Sequence, residues 1–554
     1  YHNESKSEGN IGRQVMLSSE ELLHYNASVN DVHNIDVLLG VNTNKEQAFS
    51  MYGYGLRGVS DDVYYYNPQK VPPVVNHGTP EFPDYAATRY YSSDFTEKRM
   101  VSYFGRLGYN YKQRYLLEFT FRRDGSSTFG EGNRWANFPS VAVGWSFSEE
   151  PFIKRLTGGW LNWGKIRGSY GKSGQTFTSA YLAHGLMNIM DKSFFGKTGI
   201  TTDKPVSPYL TWEKTRQYDL GLDMDMFNYR LNVKLDYYYK YTSSLIYDIP
   251  IPGSLYAFGA QVENAMEISN EGLELELQAD ILRESAVSWR MKFNMARNWN
   301  RFEKSYSGKD VVDGDGTLLV VGRPLNGLYV WAHRGYYNSD AEVPRLYKID
   351  GQEIYFNGVA TNGISGAVGD YRLLDLDGDG NPDSYYAGSP LPLAHGGWVN
   401  ELMWKNFDLN VLVNFTIGRK MINNRMGLGF SRQSEDGHLT KLFDYRKLRP
   451  WDGVNKKPNA PAWGNSLSMN TDSAIEKVHH LALKQITLGY NLPDRISKKA
   501  GLSGVRFFLT AENLFYLSNY SGGNPEVVNI YTGRDNGDTY PLPRKYTLGL
   551  TLNF

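Results

Sequence analysis

Apolar and polar residues alternate with a period of two along most of this chain. In the run 218–226, Tyr218, Leu220, Leu222, Met224 and Met226 share one face, while Asp219, Gly221, Asp223 and Asp225 share the other. In 272–281, Leu273, Leu275, Leu277, Ala279 and Ile281 oppose Glu274, Glu276, Gln278 and Asp280. The same division sets Phe407, Leu409, Val411, Val413, Phe415 and Ile417 against Asp408, Asn410, Asn414 and Thr416. In 231–241 it collects Leu231, Val233, Leu235, Tyr237, Tyr239 and Tyr241. Successive side chains of a strand point to opposite sides of a sheet, so these runs predict strands with one apolar and one polar face.

The runs are long. Ordinary strands have roughly 5–6 residues, whereas membrane-crossing strands need about 9–11. Measured against that span, the chain divides into roughly 16 strands. They fall near 1–8, 13–30, 33–52, 99–111, 114–124, 135–149, 162–173, 216–226, 230–247, 268–280, 286–301, 395–404, 407–417, 478–490, 505–518 and 543–554. Tight connections at 112–114 and 227–230 contrast with long ones near 53–98, 174–215, 302–394 and 418–477. Short turns at one end and long extracellular loops at the other are the layout of an outer-membrane barrel. The expected fold is all-β, an antiparallel transmembrane β-barrel occupying 1–554. A propeller would repeat every 40–50 residues or so, and no such repeat is present. A soluble sandwich could also bury an apolar face. Strand length and loop asymmetry favour lipid.

Composition narrows the picture. Lys+Arg and Asp+Glu are each 59 in 554 residues, so the basic excess of a nucleic-acid binder is missing. Mean hydropathy is −0.49, and no run nears the ~18 apolar residues of a transmembrane helix. Cysteine is absent, which removes disulfides, thiolate metal sites and a thiol nucleophile. Tyrosine, at 41, outnumbers Phe and Trp together, as suits interfacial girdles or a sugar-contacting lumen. The first residues, YHNESKSEGN, have neither the basic nor the apolar region of a signal peptide, and the chain is expected to begin inside a larger protein.

The last nine residues put Tyr546, Leu548, Leu550, Leu552 and Phe554 on one face, ending on an aromatic. They resemble the C-terminal signal read by the barrel assembly machinery of bacterial outer membranes. Longer phrases resemble one family of transporters: YFGRLGYNYKQRYLLEFTFRRDGSSTFGEGNRWANFPSVAVGWSF at 103–147, TWEKTRQYDLGLDMDMFNYRLNVKLDYYYKYTSSLI at 211–246, ENAMEISNEGLELEL at 263–277, GRPLNGLYVWAHRGYYNSDAEV at 322–343, and LTAENLFYLSNYSGGNPEV at 509–527 followed by YPLPRKYTLGLTLNF at 540–554. Together they resemble the SusC-like branch (SusC/RagA-type) of TonB-dependent outer-membrane transporters. The resemblance implies a barrel of about 22 strands filled by an N-terminal plug. It also implies a SusD-like surface lipoprotein as lid, a dimer of transporter–lipoprotein pairs, and coupling to the TonB complex through the plug. This chain matches the C-terminal barrel portion, and the plug and first strands are expected to lie outside it. The implied function is import of large nutrients, oligosaccharides first and peptides as the alternative, without bond chemistry and without a required cofactor. The rival readings are a secreted β-rich glycan-processing enzyme and a passive porin.

The sharpest local motif is DLDGDGNPD at 375–383. Asp375, Asp377 and Asp379 occupy the first, third and fifth places of an EF-hand-type calcium loop, Gly380 the sixth, Asn381 the seventh and Asp383 the ninth. The twelfth place holds Tyr386 instead of a bidentate Glu. Calcium binding and an Asp/Gly turn that caps itself with side-chain oxygens both fit this pattern. Tyr329, Trp331, Tyr336, Tyr337, Trp451 and Trp463 sit in the long loops, where aromatic rings can stack on sugars, meet a lid protein or pack loop against loop. Glu118, Arg122, Glu274, Glu276 and Asp280 could be read as paired acids for hydrolysis, but their spacing follows strand alternation and fits a hydrated lumen. His479 and His480, adjacent in a strand, point apart and cannot form a simple metal pair.

Overall fold

The computed structural model describes residues 6–56, 74–76, 85–87, 89–177, 179–194, 197–202, 205–256, 258–283, 285–312, 318–343, 345–347, 353–355, 368–374, 376, 383–424, 449–454, 457–462, 471–537 and 539–554. Its main sheet has 16 strands. All but one lie on a single path in chain order. These are β1 (Lys6–Val29), β2 (His33–Leu56), β3 (Arg89–Tyr111), β4 (Tyr115–Ser126), β5 (Trp135–Trp145), β6 (Leu161–Gln175), β7 (Glu213–Met226), β8 (Leu231–Pro250), β9 (Ala260–Leu282), β10 (Val287–Lys304), β11 (Ala394–Trp404), β12 (Phe407–Asn423), β13 (Ile475–Asn491), β14 (Gly504–Ser518) and β15 (Lys545–Asn553). The sixteenth, Arg534–Asp535, pairs in parallel with the end of β12. Up-and-down strands of this length in chain order make an antiparallel transmembrane β-barrel.

Several strand boundaries differ from the sequence expectation: β9 begins at Ala260 instead of near 268, β12 runs to Asn423 instead of 417, and β1 and β3 depart further. The segments expected at 1–8 and 13–30 are one strand, β1, paired without interruption from Lys6↔Leu56 to Val29↔His33. Gly9 and Gly12 interrupt the apolar pattern but not the ladder, in which they face Gly53 and Ser50. Strand β3 begins at Arg89 instead of near 99, within the connection expected at 53–98. There Gln47↔Glu97 and Ala48↔Thr96 carry no lipid-facing pattern, so pairing continues where alternation has stopped.

Strand β5 ends at Trp145 instead of at 149, where a 3-10 turn, Phe147–Glu149, takes over, and a short helix, Pro151–Thr157, follows in a stretch to which the alternation assigns no strand. Its signals are legible in hindsight: Pro151 at the first turn, and Gly158 at φ 55° as the left-handed terminator. Tight turns between strands hold Asn30, Asp31, Lys112, Gln113, Phe227, Asn228 and Tyr229 in the left-handed region.

Two compact units divide the chain. The first comprises Tyr1–Val143, Ser169–Gln217 and Thr242–Met266. On β4 it exposes Tyr115, Leu117, Phe119 and Phe121, one alternate face of the strand. Apolar rows this exposed have lipid as their solvent. Its buried centre lies at a loop base, where Phe129, Ala136, Phe138 and Trp212 pack with Phe177. The second unit comprises Gly144–Gly168, Tyr218–Tyr241 and Glu267–Phe554. It exposes Leu273, Met295, Trp398, Leu488, Leu509, Leu548 and Leu550 in the same alternating manner. At its short-turn end, rings of Trp404, Phe407 and Tyr490 cluster with centroids 6.1 and 4.7 Å apart, as in an interfacial girdle. Its buried clusters are again at loop bases: Leu328, Val330, Ala387 and Ile422, and Met421, Val478, Tyr520 and Val528.

Candidate functional site

The polar face of the second unit is a wall carrying a series of ion pairs, beside which Glu274 and Asp225 have none among the described residues. Arg167 on β6 reaches Asp223 on β7 at 3.0 Å and Asp236 on β8 at 2.5 Å. Lys234 meets Glu276 at 3.4 Å, and Arg290 meets Asp280 at 2.6 Å. Lys292 meets Glu401 at 2.8 Å, and Arg506 meets Asp408 at 2.6 Å. Alternation places each carboxylate on the same face as its cation, one strand away or, for Asp236 and Asp408, two strands away, which neutralises it without burying it. In the first unit Arg122 binds Asp124 at 2.7 Å and donates to the Ser102 hydroxyl at 2.8 Å.

Above this wall the second unit builds a small assembly from its long connections. Leu328–Trp331 pairs with Ser384–Gly388, and His333–Tyr336 pairs with Tyr371–Leu373. A further bridge ties Trp331 to Thr471. His333 Nδ1 pairs with Asp472, whose second oxygen accepts from the Tyr385 hydroxyl at 3.2 Å. The Tyr371 ring stands edge-on to His333 at 4.6 Å and stacks on Tyr336 at 5.4 Å. Burial pushes the Tyr336 and Tyr371 phenols above their ordinary value. The Tyr329 phenol is pushed up to about 12 by burial. His333 and Asp472 are 139 positions apart, and no local spacing signals their meeting.

The sequence-selected aromatics fall within this assembly. Tyr329 tilts against Tyr386 at 5.7 Å, and Tyr337 is buried. Trp451 donates from Nε1 to Asn338 Oδ1 at 3.3 Å and lies against Gly369, where a Cβ would come within 2.7 Å of its ring. Tyr329, Trp331, Tyr336, Tyr337 and Trp451 therefore join loop to loop. Trp463 lies outside the described residues, as do Asp375, Asp377, Asp379 and Asn381. Asp383 is described: its carboxylate accepts from the Leu376 backbone N–H at 2.5 Å, the contact a self-capping turn makes. No cluster of three metal-ligating side chains occurs among the described residues.

On β15, Tyr546, Leu548, Leu550, Leu552 and Phe554 are all exposed, with Leu548 at 82% and Phe554 at 93%. The strand pairs with β14 from Glu512↔Lys545 to Gly504↔Asn553. A residue missed in the sequence is Arg419. Only 3% exposed, it donates to the carbonyls of Pro525, Val528 and Asn529 at 3.2, 3.0 and 2.6 Å.

Known proteins match this architecture. The family model described as "TonB dependent receptor-like, beta-barrel" matches residues 5–386. TonB-dependent receptor P26 of Formosa agariphila is 30% identical over 565 residues, which span 97% of this chain and 53% of that protein. TonB-dependent receptor SusC of Bacteroides thetaiotaomicron is 29% identical over 491 residues, 85% of this chain and 45% of that protein. The RagAB peptide transporter superposes with a TM-score of 0.78 at 22% identity, covering 99% of this chain and 56% of that one. The chain thus spans about half the length of the curated relatives it matches. Exposed apolar rows, an ion-paired polar face and a family match across most of the strands converge, and the chain belongs to the TonB-dependent receptor-like β-barrel family of the bacterial outer membrane.

Proposed function

We propose that this chain forms the barrel wall and loop chamber of a TonB-dependent importer of oligosaccharides, working with a SusD-like surface lipoprotein. The observation that carries the cargo class is the polar wall of the second unit. Its carboxylates Asp223, Asp236, Glu276, Asp280, Glu401 and Asp408 are each held by an arginine or lysine. Such a wall offers hydrogen bonds but little net field, which suits large neutral polyhydroxylated solutes. Coupling to TonB passes through a plug belonging to the complete protein, and pairs of transporter and lipoprotein assemble as dimers. No bond is made or broken.

The test is uptake. Cells lacking the complete gene are supplied with labelled oligosaccharides or peptides of matched size, with and without dissipation of the proton gradient. Gradient-dependent loss of oligosaccharide uptake supports the reading. Loss confined to peptides replaces the cargo class, and turnover of glycan by the purified protein would overturn the transporter reading itself. Native mass spectrometry of detergent extracts checks the lipoprotein partner.

A further inference from the structure

We propose that the membrane-facing side of the first unit holds one phosphate-bearing lipid, its headgroup in a basic pocket and an acyl chain in an adjoining apolar trough. The inference rests on the outer-membrane placement and not on the cargo.

The pocket has a volume of about 330 Å³ and is lined by Lys172 of β6, Lys214 and Arg216 of β7, Ser243 of β8, and Trp135 and Asn137 of β5. No carboxylate is among its lining residues. Some other cations of the unit are paired, Lys45 and Arg99 with Glu97 and Arg106 with Asp36. Lys172, Lys214 and Arg216 form no ion pair among the described residues, and all three are exposed. Three free cations around one concavity select an anion with several acceptor oxygens.

Two features say that this anion belongs to a lipid. The first is the side of the sheet. Trp135 and Asn137 share a face of β5 with the exposed Val141 and Val143, and the buried Ala136 and Phe138 of the opposite face complete the lining from behind. The pocket therefore opens beside the apolar, lipid-contacting surface.

The second is a cavity of about 740 Å³ that adjoins it through Trp135. Tyr103 stacks on Trp135 at 6.1 Å and the Arg123 guanidinium lies 5.2 Å over the same ring; both line the larger cavity. The floor of that cavity is a gap in an apolar row. The register runs Leu23↔Leu39, Leu39↔Gly105 and Gly105↔Phe121. Gly105 supplies no side chain where its neighbours supply leucine and phenylalanine, so the row is notched at that point. A phosphate at Lys172, Lys214 and Arg216, with a chain passing Arg123 into the notch, satisfies both halves. A free phosphate has no use for the trough, and an acidic protein segment has no reason to lie on the lipid side.

The test uses the full-length protein extracted from native outer membranes in mild detergent. Retained lipid is identified by native mass spectrometry, and rebinding is measured in nanodiscs of phosphatidylglycerol, whose phosphate charge is uncompensated, against phosphatidylcholine, whose choline already neutralises its phosphate. The K172Q/K214Q/R216Q variant is expected to lose retained phosphate-bearing lipid, by roughly fivefold for each cation removed. Gly105→Phe fills the trough and is expected to reduce retention while leaving the cations intact. Leu39→Trp fills it from the neighbouring strand, should Gly105→Phe fail to fold. Unchanged retention in the triple variant would overturn the proposal. So would competition by inorganic phosphate together with indifference to both trough variants, which would mark a free-anion site. An acidic protein retained in place of lipid would overturn it as well.

Discussion

Arg419 gives the sharpest test of how the long connections are held. Its guanidinium is almost wholly buried at the end of β12, and its hydrogen bonds go to three backbone carbonyls of the turn at 525–529. Arg419→Met keeps much of the side-chain volume and removes every donor. A hydrogen bond to a charged donor contributes about 1.5–3 kcal/mol, and the orphaned carbonyls recover part of that from water. Three such bonds, less what the carbonyls recover from water, put the net cost to docking of this segment at about 3–5 kcal/mol. The strand–loop contacts Ile422 N to Gly533 O at 2.8 Å and Asn424 N to Asp535 O at 2.9 Å remain, so the segment opens without detaching at both ends. Hydrogen exchange at Val527, Val528 and Gly533 should accelerate at least a hundredfold, since each 1.4 kcal/mol is about a factor of ten. Arg419→Lys should recover little, because one ammonium cannot reproduce the fork that meets three acceptors. Exchange at wild-type rates in Arg419→Met, or complete rescue by lysine, would refute the assignment.

Four other outcomes follow from the same structure. A Cβ on Gly396 would lie 2.0 Å from the Asn294 carbonyl oxygen, so Gly396→Val should abolish the heat-modifiable folded band on gels. Gly397→Ala, with its nearest neighbour at 3.4 Å, should preserve that band. The Tyr329 hydroxyl is buried with no hydrogen-bond partner among the described residues, so Tyr329→Phe should slow exchange in the 328–331 strand by about 1 kcal/mol of local stability. In the wild type the neutral phenol is the favoured form: its support is intact below its ordinary value of 10.0 and is lost as pH rises through about 12, a transition that ultraviolet titration will follow. Asp383→Ala should increase protease cleavage near 376–383 with no response to calcium; calcium-dependent protection would instead restore the EF-hand-type reading. Leu548→Arg places a charge on the lipid face of β15 and should cut assembled barrel by an amount matching a cost of about 2–4 kcal/mol at the midplane, read as the folded fraction in lipid vesicles.

The wall was legible because lipid imposes a rule on every second residue. Phe119 and Phe121 face out because nothing else on β4 could, and the register with β3 follows from the same constraint. The rule stops where the membrane stops, which is why the start of β3 at Arg89 and the union of two expected strands in β1 were not visible in the pattern. The helix at Pro151–Thr157 falls in a short connection between two strand patterns, too brief for a helical period to show, and only its Pro and Gly punctuation marks it. The loop assembly obeys no period at all. His333 finds Asp472, and Arg419 finds the 525–529 turn, across separations of more than a hundred residues. Aromatic residues in those loops could be picked out by type, but not their partners. Tyr336 against Tyr371 and Trp451 against Gly369 are products of tertiary packing.

This division bears on where selectivity resides. The charged residues of the polar wall come from strands whose alternation fixes both partners, so Arg167 has Asp223 and Asp236 as neighbours by register alone. A wall neutralised in this way suits neutral polyhydroxylated solutes as a class but does not tell one of them from another, since its surviving capacity is hydrogen bonding rather than charge. The loops are free of that constraint. Their contacts depend on side chains that strand geometry does not dictate, and surface connections tolerate exchange more readily than the elements they join. Evolution of cargo preference is therefore expected in residues such as Trp331, Tyr385 and Asn338 more than in the barrel face. Swapping 322–393 between this chain and a relative of different cargo should move substrate preference with the loop, while exchanging Arg167, Asp223 and Asp236 together should leave it in place. Preference that followed the wall instead would mean that the paired charges do contact the solute, and the neutral-lumen argument for an oligosaccharide cargo would fall with it.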